Sequence, residues 1–496
     1  MPNPALARHF AMTHPPSAKS PGLSDPLPLR LAFFFALGLA FALLATWFWS
    51  RFCRFPTIPW NDMRLAPSIA FAQGLPVYST ATEGTINTWM YGPLPVLFFW
   101  PASLASSAAG AMLFAGGINL ALTLVPLALV CFLWPVPESR YDSKLVRGTA
   151  LALCLAVWPE LHYSVHFSDN LAIACALIGN ALLVRSRSVR NLWFAAALAT
   201  ASVACKQICL GIPLAQIVWL GFVGGRREML MHLGRCIAIG GALAGGLVGI
   251  FGGRALWFTL IEVPAGLGWA IDPSGRLLQV APVLALQIGL PAVLMLARRR
   301  TFAQATLLLP ALVWLCSLTL GFAGLMKVGG WTNSIHSFVL WLPPVLTHFL
   351  VAAMSPRHQR WLCFGTSAAA AAFVSGRIVH ESDFPLRPQV AAYREAEKLA
   401  RQFPDQIWFP FHPVVTLYAE HRYYHDEDGF YVRRQAHKPI PAEQAASKLP
   451  PALHLMAFHR DWNDWGIARS MLPKTARPFD FGAWSVFDGA AASTSP

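Results

Sequence analysis

The chain has 496 residues, of which 55% are hydrophobic and only 12% charged, with a mean hydropathy of +0.47 and a formal net charge of +14. A water-soluble chain carries about twice that charged fraction, so an ordinary soluble enzyme is excluded. The basic residues are spread through short loops between apolar runs, which argues against the clustered footprint of a nucleic-acid-binding face.

Residues 1–28 are rich in Pro, Ser and Ala and read as a disordered cytoplasmic tail. From there to residue 376, apolar runs recur near the ~20 residues that a helix needs to cross a bilayer. In lipid only a helix satisfies its own backbone groups, so the runs are read as helices rather than buried strands. Eleven spans are expected, at 29–49, 110–133, 148–165, 171–184, 192–205, 208–223, 236–252, 277–297, 302–325, 337–354 and 361–375. The first has basic flanks and no small-residue cleavage site, so it reads as a retained anchor rather than a signal peptide. The stretch 93–107 is apolar but short and follows proline, and reads as a half-helix at the outer interface. The run 192–223 is too long for one helix and is split at Lys206-Gln207.

The charges set an orientation. With the tail in the cytoplasm, the loops carrying Arg140/Lys144/Arg147, Arg185/Arg187/Arg190, Arg226/Arg227/Arg235, Arg298/Arg299/Arg300 and Arg357/Arg360 all fall inside. The opposite loops hold Lys206 alone and Lys327 alone, and none between Glu160 and Asn170. This is the positive-inside pattern. An odd span count then puts 377–496 outside. There the composition turns polar, with a helical period at 389–403 and strand-like runs at 407–411, 454–458 and 484–487. The expected architecture is an α-helical polytopic membrane protein with a small C-terminal α/β soluble domain. The nine cysteines end at Cys363, mostly within or beside spans, without a CxxC or Cys/His metal spacing, and read as packing residues.

Candidate chemistry gathers at the outer ends. The first outer loop, 50–92, is the longest between spans. It contains Trp60-Asn61-Asp62-Met63-Arg64, then Gly74-Leu75-Pro76-Val77-Tyr78, then Tyr91-Gly92-Pro93-Leu94-Pro95. Asp62 precedes an apolar-periodic stretch and reads as a helix cap, or as a general base at the membrane face. Asp169 follows Glu160, His162 and His166 in a tight outer turn and reads the same two ways. If Asp62 and Asp169 approach one another, two carboxylates can bind a divalent cation or divide base and orienting roles. Lys206 interrupts an apolar stretch and is a snorkelling lysine or an anion site. Lys327, in Lys327-Val328-Gly329-Gly330-Trp331-Thr332-Asn333, offers a second cation or only a polar Gly-Gly turn. The segment 421–429, with His421, His425, Asp426 and Asp428, reads as a solvated turn rather than a catalytic metal site.

On these motifs the chain resembles the GT-C superfamily of polytopic glycosyltransferases, in the bacterial branch of protein mannosyltransferases and lipid A aminoarabinose transferases. The resemblance rests on Asp62, Gly74 to Tyr78, Tyr91 to Leu94, Asp169-Asn170-Leu171-Ala172 and Ala204-Cys205-Lys206-Gln207, and beyond them only on layout. It implies transfer of a sugar from a polyprenyl-phosphate donor to a lipid, glycan or protein acceptor outside the inner (plasma) membrane, with inversion. It further implies Asp62 as base or acceptor-orienting carboxylate, Asp169 as second acid, and both as ligands for a divalent metal ion. Lys206 and Lys327 would bind the donor phosphate, and Tyr91, Asn61 and Asn333 would bind substrate. The competing readings are a flippase of lipid-linked saccharides, which predicts internal repeats and paired broken helices, and a scaffold whose aromatic outer segment binds a partner.

Overall fold

The computed structural model describes residues 27–136, 143–161, 167–330, 332–335, 337–352, 356–380, 385–460, 476 and 478–489. Residues 1–26 of the tail expected to be disordered, Arg140, His162 and His166 lie outside the described residues; Leu27 and Pro28 open the first helix, Leu27–Arg54.

The apolar runs are helices. Among the described residues seven are long and apolar enough to cross a membrane: Arg30–Thr57, Ala108–Leu133, Ser168–Arg185, Gln207–Phe251, Pro273–Ala297, Ala305–Leu325 and Trp361–His380. The expectation of eleven exceeds this number for local reasons. Val189–Cys205 and Ser337–Ala352 are helices of 17 and 16 residues, and the run 148–165 lies on the helix Ser143–Leu161, which is not among the seven. The sixth and seventh runs belong to one helical stretch, Gly211–Phe251, broken only at Gly225, whose φ of 81° is non-helical. Arg226 and Arg227 follow that break. Arg235, expected in a loop, is buried within the helix and stacks 5.9 Å from the Trp193 ring.

Large side chains such as Trp47, Trp134 and Trp341 are fully buried between the helices, whereas Phe34, Phe35, Phe222 and Leu296 point outward. In lipid, outward apolar side chains are at no disadvantage. Some of the polar groups inside pair with one another. Asn170 donates to Asn119 at 2.7 Å, and Gln216 donates to Asn180 at 2.9 Å while its oxygen lies 3.1 Å from His232 Nε2.

The C-terminal segment forms a four-stranded sheet of order β1-β2-β4-β3. The strands are β1 Ile407–Trp408, β2 Leu455–His459, β3 Pro478–Phe481 and β4 Trp484–Asp488; β1 and β2 are parallel and the other pairs antiparallel. The strands alternate between two cores, because successive side chains point to opposite faces. Ile407, Leu455, Ala457, Trp484 and Val486 face one core, shared with Tyr393, Leu399, the outer-loop residues Leu65 and Ile69, and Met112 of the second long helix. Trp408, Met456, Phe458 and Phe487 face the other, shared with Met63, Ile86, Phe411 and Phe430. The loop 50–92 is therefore built into both faces of the C-terminal sheet.

Candidate functional site: two cations beside an apolar groove

The helix Val189–Cys205 ends at Lys206, whose backbone is extended (φ −150°, ψ 121°), and the chain resumes through the 3-10 turn Gln207–Leu210. The split expected at Lys206-Gln207 is thus a broken helix. The break frees the Cys205 carbonyl, which accepts from the Gly92 N–H at 3.1 Å, while Gln207 Nε2 donates to the Met90 carbonyl at 3.2 Å. Only glycine permits this approach: a Cβ on residue 92 would come within 1.8 Å of the Ala204 carbonyl oxygen. Two motifs singled out in the sequence, Tyr91-Gly92-Pro93 and Ala204-Cys205-Lys206, are one structural unit.

Lys206 is buried. Its ammonium donates to Asp169 Oδ1, which the helix Phe167–Arg185 presents from its first turn, and to the Asn333 carbonyl at 3.3 Å. It lies 5.8 Å from the Tyr91 ring centre. The guanidinium of Arg64 lies 5.1 Å from the same ring, so two cations share one aromatic. Lys206, Asp169, Tyr91 and Asn333 are therefore brought together, with Asn333 contributing its backbone and not its amide.

Arg64 was legible only weakly. It is the one basic residue of the outer-loop helix Pro59–Ala72, an otherwise largely apolar segment, and it is buried. Asp428 was also passed over. Its Oδ2 accepts from the Thr88 hydroxyl at 2.5 Å. Burial pushes the Asp428 carboxyl up, while the Thr88 hydrogen bond and the Arg64 charge pull it down. Of the segment read as a solvated turn, His421 and Arg422 are exposed, but 423–427 and Gly429 are buried against the loop 50–92. Asp426 is buried, caps the helix Glu427–Gln435 through Gly429 N–H at 2.7 Å, and accepts from Thr88 N–H at 3.2 Å. His425 Nδ1 accepts from Ile86 N–H at 2.8 Å, and burial lowers this imidazole to about 4, so it is neutral.

The remaining expected residues are elsewhere. Asp62 is fully buried in the first turn of Pro59–Ala72. Its two oxygens accept from Tyr393 Oη at 2.6 Å and from Val414 N–H at 2.9 Å, in the first turn of Pro413–Ala419. It caps a helix, but one on the outer unit rather than its own. Burial pushes its carboxyl up to about 7, against those two hydrogen bonds. Asn61 donates to the Phe55 carbonyl at 2.9 Å and ties the helix start to the preceding turn. Lys327 donates to the Pro264 carbonyl at 2.7 Å and lies 6.0 Å from the Trp269 ring, pinning one outer loop to another.

A divalent cation does not fit the expected pair. Tyr393 and Val414 occupy the Asp62 oxygens, and Asp169 carries the Lys206 ammonium, which a metal ion would repel. Among the described residues no group of three His, Cys, Asp or Glu side chains converges.

An apolar groove of about 710 Å³ runs beside the break. Gly92, Ala204 and Gln207 line it near Lys206, and Leu243, Leu247 and Trp257 line it further along. The fold and site together define a helical protein with seven helices able to cross a membrane among the described residues, and with an apolar groove whose wall includes Gly92 and Gln207, the chain neighbours of Tyr91 and Lys206. No family model matches the chain, and no curated protein matches it in sequence.

Proposed function

We propose that this chain is a membrane glycosyltransferase that takes a sugar from a polyprenyl-phosphate-linked donor and passes it to an acceptor at the outer face. The observation that carries the reading is the continuity between the apolar groove and the cations: Gly92 and Gln207 belong to the groove wall, and their neighbours Tyr91 and Lys206 belong to the polar cluster. A long isoprenoid chain matches the groove, and an anionic headgroup at its end matches Lys206 and Arg64. In the transfer, the bond between the anomeric carbon and the phosphate oxygen breaks as the acceptor oxygen attacks, and the hydroxyl proton that the acceptor loses passes to the departing phosphate. Negative charge grows on the leaving phosphate, and fixed cations stabilise it most when already oriented. Asp169 would orient the Lys206 ammonium, and the Tyr91 ring would hold both cations in register. Asp62, with both oxygens engaged, is read as a positioning carboxylate that joins the outer loop to the outer unit.

The orientation that goes with this function has the N-terminal tail in the cytoplasm, all eleven apolar runs in or across the inner membrane and the sheet outside. Its basis is the charge asymmetry of the loops.

A flippase is the second reading, favoured by the buried polar chain Asn180–Gln216–His232 within the helices. The test is mass spectrometry of the detergent-purified protein with added undecaprenyl phosphate-linked hexoses and pentoses. The transferase reading expects lipid to co-purify and free undecaprenyl phosphate to accumulate on turnover. Binding without release of the phosphate would move the assignment to the flippase.

A further inference from the structure

Arg235 sits within the helical stretch that follows Gly225, about 14 Å along the helix from Arg226. It is buried, and its guanidinium lies 5.9 Å from the Trp193 ring. Among the described residues no carboxylate pairs with it, and Glu228 in the same stretch is taken by Arg187 at 3.3 Å. An ionised side chain at such depth is costly unless it is matched, so it marks a site whose partner has to be supplied. A second buried group beside it is open. His232 lies one turn earlier on the same side of the helix and is fully buried. Gln216 donates its Nε2 to Asn180 and turns its oxygen to His232 Nε2, which therefore carries the proton. His232 Nδ1 is left as an acceptor, and it has no partner among the described residues.

The surroundings suit a lipid. Trp193 stands on the same face of the helix Val189–Cys205 as Thr200 and Ala204, which line the apolar groove. Leu233, Cys236 and Ile237, on either side of Arg235 in the chain, line it too. The groove thus runs between two cations, Lys206 at one end of that helix and Arg235 over a ring near the other, about 20 Å apart along it. Five exposed arginines flank the Arg235 end, namely Arg185, Arg187, Arg190, Arg226 and Arg227. Arg187 joins the two turns that carry them by donating to the Val223 carbonyl at 3.1 Å and to Glu228. We infer that Arg235 and His232 form a headgroup site for an acidic glycerophospholipid: Arg235 binds the phosphate, His232 Nδ1 accepts from a headgroup hydroxyl, and the acyl chains enter the groove from the end opposite Lys206. A zwitterionic headgroup is disfavoured, because it brings its own cation to an arginine and has no hydroxyl for Nδ1. The site uses no residue of the Lys206 cluster and stands apart from the donor-binding reading.

The test is a titration of the delipidated full chain in detergent with phosphatidylglycerol and with phosphatidylcholine, read by native mass spectrometry. The wild type should hold one phosphatidylglycerol on the order of tenfold more tightly than phosphatidylcholine. Arg235→Gln should erase that preference and leave the affinity for undecaprenyl phosphate unchanged. If Arg235→Gln does not fold, Trp193→Leu replaces an exposed side chain and serves instead; it frees the guanidinium and should cut the preference several-fold. The pair Arg226→Gln and Arg227→Gln should keep it. Equal affinity for the two lipids in the wild type would overturn the inference. So would a preference that survives Arg235→Gln but is lost in the Arg226/Arg227 pair, which would assign the lipid to surface charge alone. Displacement of the bound phosphatidylglycerol by undecaprenyl phosphate, with both lost in Arg235→Gln, would overturn it in favour of a path for the polyprenyl lipid.

Discussion

Asp62 is a fully buried carboxyl group, and its behaviour follows from that. Two buried donors, Tyr393 Oη and Val414 N–H, depend on its oxygens. Asp62→Ala leaves both unsatisfied and should cost about 1–3 kcal/mol, measured as a lower midpoint in thermal unfolding of the detergent-solubilised protein. Asp62→Asn keeps an acceptor for Val414 and should stay close to wild type. The pH dependence separates the two forms of the side chain. The folded group titrates at about 7, above its unfolded value near ~3.9. The native state therefore holds a proton that the unfolded state has released between those values, so the contribution is full below ~4 and is lost as pH rises to about 7. Wild type should be more stable at pH 5 than at pH 7.5 by a margin that Asp62→Asn lacks. An identical pH slope in the two proteins would count against a carboxyl held up by burial.

At the scale of elements, the unit that matters is the contact between an outer loop and a broken helix. The Tyr91-Gly92 backbone lies on the Cys205 carbonyl, and the 1.8 Å clash of a Cβ on Gly92 with Ala204 is against backbone, which cannot rotate aside. Gly92→Ala should push the loop off the break and separate Tyr91 from Lys206. Undecaprenyl phosphate binding should then fall by roughly the tenfold or more that removal of a charged hydrogen-bonding group costs, without any change to Lys206 itself. Lys206→Ala should lower binding to a similar degree, and normal binding in both variants would sink the phosphate site. In the helix that carries the break, Lys206 is extended because its side chain is drawn to Asp169 and the Cys205 carbonyl is taken by the loop, so the interruption is satisfied from outside the helix.

For the whole molecule, the outer sheet and the first outer loop fold as one body. Leu65, Ala66, Ile69 and Ala70 share a core with Tyr393, Leu399 and Trp484, and Met63 and Ile86 share the other with Trp408 and Phe458. Arg433 adds bonds to Ser79 and Thr80 at 2.8 Å, and Gln444 to Glu83 at 2.9 Å. A chain truncated after residue 380 loses the partner of both faces at once. Its loop 55–92 should become sensitive to limited proteolysis while the membrane helices remain resistant; a protected loop in the truncated chain would contradict the shared cores. The orientation is tested on the same scale. A reporter active only in the cytoplasm, fused after Pro496, should be silent.

Residue order alone pointed to the helical class, the break at Lys206, the half-helix after Pro93 and three of the four strands of the C-terminal sheet; β3, Pro478–Phe481, short and largely exposed, was missed. Each of these depends on local physics: apolar length against bilayer thickness, a lone charge in an apolar run, proline at a helix start, alternation along a strand. It also marked Tyr91, Asp169 and Lys206, because a polar group among apolar neighbours stands out. Tertiary structure decided which marked residues meet. Asn333 reaches Lys206 through a backbone carbonyl, which no side-chain pattern reports, and Lys327 in the same loop turns to Pro264. Asp62 and Val414 lie 352 positions apart, and Thr88 and Asp428 lie 340 apart. At such separations the pairing is set by how the sheet packs on the loop, so the reading of 421–429 as a solvated turn failed where the burial of the whole unit, and not its composition, governed. Arg64 was overlooked for the same reason: a single arginine on a short helix is ordinary until the fold brings it to the Tyr91 ring that Lys206 also approaches.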